Sequence, residues 1–319
     1  MAEYKSIKGT QIQVSAGDLT NPKIGQIWYN KTTQVLRGRV IAPAAWSTGE
    51  DMTKTRRSFG YAGTQTAALA AAGGYPAFAT TEEYDGTNWS NANNMSASLF
   101  DLTAAGLQTA AAVWGGDTTA TYEYDGTNWT TGGSLGIAVR SSAGFGLQTA
   151  AVSCGGISTG NPYTNATEEY NGTSWADSND LNTTRSRLMA MGTLTAGLAA
   201  GGTIDPGVLT STEEYDGTSW ANSNGLNTAR KESGSSSGVQ TSAIVFGGLS
   251  PATGIVALTE IYDGTSFSND AAMATARGYL RGCGSTTAGL GFGGYVTAIS
   301  ALTEEYTGAA AGTVTIDPV

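Results

Sequence analysis

Glu82-Glu83-Tyr84-Asp85-Gly86-Thr87-Asn88-Trp89 is a phrase that this chain repeats. Its core returns as Tyr124-Asp125-Gly126-Thr127-Asn128-Trp129, Tyr170-Asn171-Gly172-Thr173-Ser174-Trp175, Tyr215-Asp216-Gly217-Thr218-Ser219-Trp220 and Tyr262-Asp263-Gly264-Thr265-Ser266-Phe267. A sixth copy, Glu304-Glu305-Tyr306-Thr307-Gly308, stops before its aromatic residue. A Gly-Gly pair precedes each copy, starting at Gly73, Gly115, Gly155, Gly201, Gly247 and Gly293, so the periods are 42, 40, 46, 46 and 46 residues. A repeat of this length without a helical pattern is a sheet unit that cannot bury its own faces. Stacking six such units round an axis buries them, which makes the chain an all-β, six-bladed β-propeller.

Each repeat reads as four strands. The second is a run of small residues ending in Gly-Gly, as in Thr66 to Ala72, suited to the crowded centre of a wheel. The third ends at the tyrosine, and Asp-Gly turns the chain into the fourth. With Asp85 and Gly86 as a two-residue loop, Tyr84 faces Thr87, Glu83 faces Asn88 and Glu82 faces Trp89. Alternation then puts Glu82, Tyr84 and Trp89 on the face packed between blades. A buried glutamate needs a partner. Arginine stands at the matching place near the start of the repeat, which pairs Arg56 with Glu82, Arg185 with Glu213, Arg230 with Glu260 and Arg277 with Glu304. Arg140 and Glu168 make a fifth expected pair, and the second repeat replaces both members by Leu99 and Tyr122. Such pairs are structural, since removing one member strands a buried charge.

The missing sixth aromatic stands at the other end of the sequence. Trp46-Ser47-Thr48-Gly49-Glu50-Asp51-Met52 matches Trp89-Ser90-Asn91-Ala92-Asn93-Asn94-Met95 in spacing, so the strand around Trp46 is expected to close the last blade; Thr313-Val314-Thr315-Ile316 is its rival. The expected organisation is a docking arm over residues 1–38, a propeller over 39–308 and a C-terminal strand or tail over 309–319. Within the arm, Ile24 to Tyr29 and Gln34 to Gly38 flank Asn30-Lys31-Thr32-Thr33 as a small hairpin. Trp28 and Tyr29 point to opposite faces of it and are the expected assembly anchors.

Composition excludes several functions. Charged residues make up 13% of the chain and the formal charge is -10, which argues against a nucleic-acid groove. No stretch is apolar for long enough to cross a bilayer, so membrane insertion is not expected. There is no histidine, and Cys154 and Cys283 lie in different repeats. No metal site, no catalytic site and no cofactor is expected, and the chain reads as a non-enzyme.

The Gly-Gly pair, the tyrosine some ten residues on and the tryptophan five beyond it resemble the kelch repeat, most clearly in Gly201-Gly202, Glu213-Glu214-Tyr215 and Trp220. The resemblance covers residues 40–308. It implies a wheel that binds other molecules. The copper-radical oxidases of that family need histidine ligands that this chain lacks. Asp-Gly-Thr-Xaa-Trp also looks like the Asp-box turn of sialidases, although that pattern has a residue between aspartate and glycine. The leader from Asn21 to Gly38 resembles segments near the start of structural proteins in tailed, particularly marine, bacteriophages.

That resemblance implies a virion protein, a tail, tail-fibre or capsid-decoration subunit. Its arm would dock on other virion proteins, and the chain would form a homo-oligomer. A host surface protein or a glycan is the further candidate partner. The alternatives are a cellular kelch-like interaction module, a carbohydrate-binding propeller and, last, a glycan hydrolase. Recognition is expected on the variable loops between second and third strands. Their candidates are Tyr75, Phe78, Asn161, Tyr163, Asn165, Asp205 and Tyr295.

Overall fold

The computed structural model describes residues 12–235 and 238–316, and over these the chain is all β. It divides into two compact units, Met1–Ala44 with Gly308–Val319, and Ala45–Thr307. The larger is a multi-bladed, propeller-like array of small antiparallel sheets. The first comprises Gly60–Thr64, Ala67–Ala71, Thr81–Tyr84 and Trp89–Ala92. The second comprises Leu102–Leu107, Ala110–Gly115, Thr121–Tyr124 and Trp129–Thr131. In the third, Val139–Arg140 and Ala143–Leu147 both pair with Ala150–Ser158, and Asn161–Tyr170 and Trp175–Ser178 follow. The fourth is Met189–Thr193, Ala196–Ala200, Thr212–Tyr215 and Trp220–Ser223. The fifth is Gly234–Ser235, Ala243–Phe246, Thr259–Tyr262 and Phe267–Asp270. The sixth takes three strands from the end of the unit, Arg281–Gly284, Ala288–Phe292 and Thr303–Thr307, and its fourth, Ala45–Thr48, from the beginning.

The register corrects the sequence reading by two residues. Tyr84 stands opposite Trp89, Glu83 opposite Ser90 and Glu82 opposite Asn91. The loop is therefore Asp85 to Asn88. Asp85 Oδ1 accepts from the amides of Thr87 and Asn88, at 2.8 and 2.7 Å, and this side-chain turn spreads the hairpin beyond two residues. The faces survive the shift because two is the side-chain period. Tyr84 and Trp89 share a face, with ring centres 5.1 Å apart.

That face joins each sheet to the one before it. The tyrosine hydroxyls donate to carboxylates of the preceding sheet, Tyr124 to Glu83 at 2.8 Å, Tyr170 to Glu123 at 2.6 Å, Tyr215 to Glu169 and Tyr262 to Glu214. Tyr84 donates to Glu305, which carries the series from the first sheet to the sixth. The fifth sheet has Ile261 where the others have glutamate, and Tyr306 donates to Asp270 instead, at 2.9 Å. Indole N–H groups repeat the pattern: Trp89, Trp129, Trp175, Trp220 and Trp46 donate to Thr303, Thr81, Thr121, Thr167 and Thr259. Glutamines add a third tie, as where the Gln108 amide donates to the carbonyls of Ala68 and Tyr84 at 3.1 and 2.8 Å.

These ties set an alkaline limit. Burial and then the carboxylate partner push the hydroxyls of Tyr215 and Tyr262 up to about 12. The folded value lies above the free tyrosine value of about 10, so the stabilisation is complete below that pH and disappears as pH rises towards 12. The melting temperature is therefore expected to be flat from pH 8 to roughly 10 and to fall steeply above it. Tyr215→Phe with Tyr262→Phe should flatten the fall, and an unchanged alkaline slope would refute the assignment.

Buried arginines anchor the other end of four of the repeats. Arg56 meets Glu82, Arg185 meets Glu213, Arg230 meets Glu260, and Arg277 meets Glu304 at 3.1 Å, with every side chain at most 3% exposed. The arginines also donate to backbone carbonyls, as Arg185 does to Gly201 and Ser211, and the glutamates accept from amides of the segment leading into the sheet. Burial lowers the arginine pKa values while the paired glutamates oppose it. The expected Arg140–Glu168 pair does not form. Val139 is buried there, Arg140 turns to Asp101 and Asp117 at 3.7 and 3.1 Å, and Glu168 accepts from the amides of Gly136 and Ile137.

The Gly-Gly pairs lie where the next repeat crosses. Gly202 N–H donates to the Arg230 carbonyl, and a Cβ on Gly201 (φ +61°) would meet that same oxygen at 2.5 Å. In the smaller unit, Gln13–Ser15 runs parallel to Ile27–Asn30, which pairs antiparallel with Val35–Ala42, and Val35–Ala42 pairs in turn with Ala310–Ile316. The C-terminal strand thus belongs to the leader's sheet. Trp28 is buried and Tyr29 half-buried.

Candidate functional site

Two residues beyond the arginine position, each repeat of the larger unit holds a non-glycine residue in the left-handed region. These are Ser58, Asp101, Ser141, Arg187, Glu232 and Tyr279, with φ between 51° and 58°. Side chains there cost energy, and such positions concentrate at functional sites. Their backbones bond to one another in a ring: Tyr279 N–H to the Glu232 carbonyl, Glu232 to Arg187, Arg187 to Ser141, Ser141 to Asp101, and Ser58 back to Tyr279, at 2.8 to 3.4 Å. Leu102 N–H donates to the Ser58 carbonyl and completes the circuit. Equivalent positions joined in this way encircle the axis.

The ring gathers the unit's spare charge. Of ten basic residues between 45 and 307, four are in the buried pairs, whereas Arg57, Arg140, Arg187, Lys231 and Arg281 lie on or beside the ring. Arg187 Nε lies 3.2 Å from Glu232 Oε1, and Arg281 approaches the other oxygen at 3.8 Å. Burial pushes the Glu232 carboxyl above the ordinary carboxylate range, with Arg281 opposing and Asp101 adding to the rise. Burial lowers the Lys231 ammonium, and Arg187 lowers it further. Burial likewise raises the Tyr279 hydroxyl, with Glu232 next in effect and Asp101 adding to the rise, while Arg187 and Arg57 oppose it.

On one side of this ring is an aromatic patch. The Arg57 guanidinium lies 5.9, 5.4 and 5.7 Å from the ring centres of Tyr75, Tyr279 and Tyr295. It makes no ion pair among the described residues. Tyr75 is 70% exposed and meets Phe100 edge-on at 6.4 Å. An arginine among tyrosine faces offers an anion a charge and a sugar ring a platform.

The structure brings Tyr75 and Tyr295 together round Arg57 but scatters the other loop candidates. Phe78 is half-buried beneath Lys54 and Arg56, at 5.0 and 5.3 Å. Asn165 spends its amide on the Leu181 carbonyl at 3.1 Å. Asp205 is exposed in a turn between Thr203–Ile204 and Gly207–Val208. Tyr163 is on the long strand Asn161–Tyr170, and the Asn161 side chain is outside the described residues. Sequence reading missed Arg57, Asp101, Arg187, Glu232 and Tyr279. Their signal was available: the two positions after Arg56, Leu99, Val139, Arg185, Arg230 and Arg277 are rich in charge in a chain otherwise poor in it.

No group of three or more ligating side chains suited to a metal occurs among the described residues, and no helix there is long and apolar enough to cross a membrane. No family model and no curated protein matches the chain. Among solved structures it is similar to the structure of YjhT, with a TM-score of 0.67 and 10% identity over 85% of this chain and all of that one. This likeness shows a shared fold and corrects two expectations. It overturns the reading as a bacteriophage virion protein, because the likeness found is to YjhT and not to a virion protein. It also removes the exclusion of an enzyme. That exclusion leaned on the missing histidine.

Proposed function

We propose that the chain is a six-bladed, kelch-like propeller that binds an acidic carbohydrate at the mouth of its axis. The observation that carries this reading is Arg57, a guanidinium with no carboxylate partner among the described residues, set among three tyrosine rings. Tyr75 and Tyr295 supply faces for a sugar, Arg57 meets its acidic group, and the ring from Asp101 to Tyr279 lies beneath. The repeat count and the Gly-Gly, tyrosine and tryptophan spacing support the kelch-like assignment.

Calorimetric titration of the full chain with uronate-containing and matched neutral oligosaccharides tests the reading. Arg57→Ala is expected to weaken the acidic ligand by about tenfold to a hundredfold, the loss of a charge-assisted contact. Tyr75→Ala should weaken it by roughly tenfold with the melting temperature unchanged, because that ring is mostly exposed. Equal affinity for acidic and neutral sugars, or an Arg57→Ala chain that binds as tightly as the parent, would refute the proposal.

A further inference from the structure

At the ring, the axis holds a partly open cavity of about 10 Å³ whose lining includes Tyr61, Ser142, Arg187, Glu232, Ser233 and Arg281. A space of that size admits a single atom-sized guest. Its lining is incomplete without one. Ser142 is 7% exposed, and its hydroxyl oxygen has no partner among the described residues; Arg187 Nε, although near Glu232, is not aligned for a hydrogen bond there. Three of the five N–H donors of Arg281 reach the carbonyls of Phe59, Leu280 and Leu102, which leaves two without a hydrogen bond among the described residues. Buried polar atoms left in this state mark a missing water or ion.

The charge decides between these guests. Glu232 faces Arg187 and Arg281 together, so the immediate lining carries one more positive than negative charge. Beyond the lining, Lys231 and Asp101 both act on Glu232 and do so with opposite sign, so the excess is that of the lining itself. Water would satisfy the Ser142 hydroxyl yet leave that excess uncompensated in a site of low dielectric. An anion does both.

We infer that this axial cavity is a structural site for one monatomic anion of the halide class, held by the Ser142 hydroxyl and the free donors of Arg187 and Arg281. The ion ties the segments leading into the third and fourth sheets to the first strand of the sixth. The site is independent of sugar binding at the mouth.

Thermal unfolding of the full chain at constant ionic strength, with sodium gluconate exchanged for sodium chloride, provides the test. Chloride should raise the melting temperature along a saturating curve, by about 5 °C at a concentration on the order of a hundred times its Kd. Ser142→Ala should weaken the halide dependence, whereas Tyr75→Ala should retain it. Crystals grown in sodium bromide should show an anomalous peak beside Ser142 Oγ. Identical melting in gluconate and chloride overturns the inference, as does a bromine peak without any halide effect on stability, which would be an adventitious ion only. If Ser142→Ala fails to fold, the parent chain's halide curve and the bromide peak still decide.

Discussion

Arg230→Ala is expected to lower the melting temperature by on the order of 10 °C, the consequence of leaving Glu260 charged and unpaired in the interior. The side chains of both residues are fully buried, and Arg230 also donates to the carbonyls of Leu258 and Gly247. Removing it costs about 3–5 kcal/mol in comparable buried pairs. The double variant Arg230→Met with Glu260→Leu should recover most of the loss, since no uncompensated charge then remains. The chain contains a natural precedent, in that the second repeat has Leu99 and Tyr122 where four other repeats have the ion pair. Arg140→Ala is the control: its guanidinium is 34% exposed, and such pairs contribute about 1 kcal/mol or less. Equal losses from Arg230→Ala and Arg140→Ala in a thermal melt would remove the buried pairs from the account.

A larger effect is expected from the strand that completes the sixth sheet. A chain of residues 45–307 should unfold cooperatively, whereas one of residues 49–307 should not fold to a stable wheel. The four residues of difference, Ala45–Thr48, form the outer partner of Thr303–Thr307. They carry Trp46, whose indole donates to Thr259 and to the Ala271 carbonyl at 3.1 and 3.0 Å. Its ring lies 4.8 Å from Phe246 and 5.3 Å from Tyr306, so one side chain joins the fifth and sixth sheets. Loss of a packed tryptophan alone costs roughly 3–5 kcal/mol, a large share of the stability of a natural domain. Circular dichroism and thermal unfolding of the two fragments check this. Indistinguishable melts would mean that closure at this joint contributes nothing.

The repeat made the propeller-like architecture legible because a tyrosine, a turn and a tryptophan at fixed spacing impose strand, reversal and strand. The details that escaped are those in which one repeat bonds to another or a backbone departs from its usual basin. Asp85 reads as half of a two-residue hairpin, but its carboxylate caps two amides and lengthens the loop. Gln108 gives no sign that its amide reaches carbonyls of the preceding sheet. Arg140 sits one residue after the position that the buried arginines occupy, and Val139 takes the apolar slot. Asn165 looks like a recognition residue in a variable loop, although its amide is consumed by Leu181. The axial ring was hidden most thoroughly. Its members are a serine, an aspartate, a serine, an arginine, a glutamate and a tyrosine, united by a common φ and not by chemistry.

The most direct test of the account is a crystal structure of the full chain grown with a uronate-containing oligosaccharide. The account predicts ordered sugar at the axial mouth, its carboxylate within hydrogen-bonding distance of Arg57 and its rings against Tyr75 and Tyr295. Sugar bound only at the outer Asp-Gly turns, or a vacant mouth at saturating ligand, would contradict it.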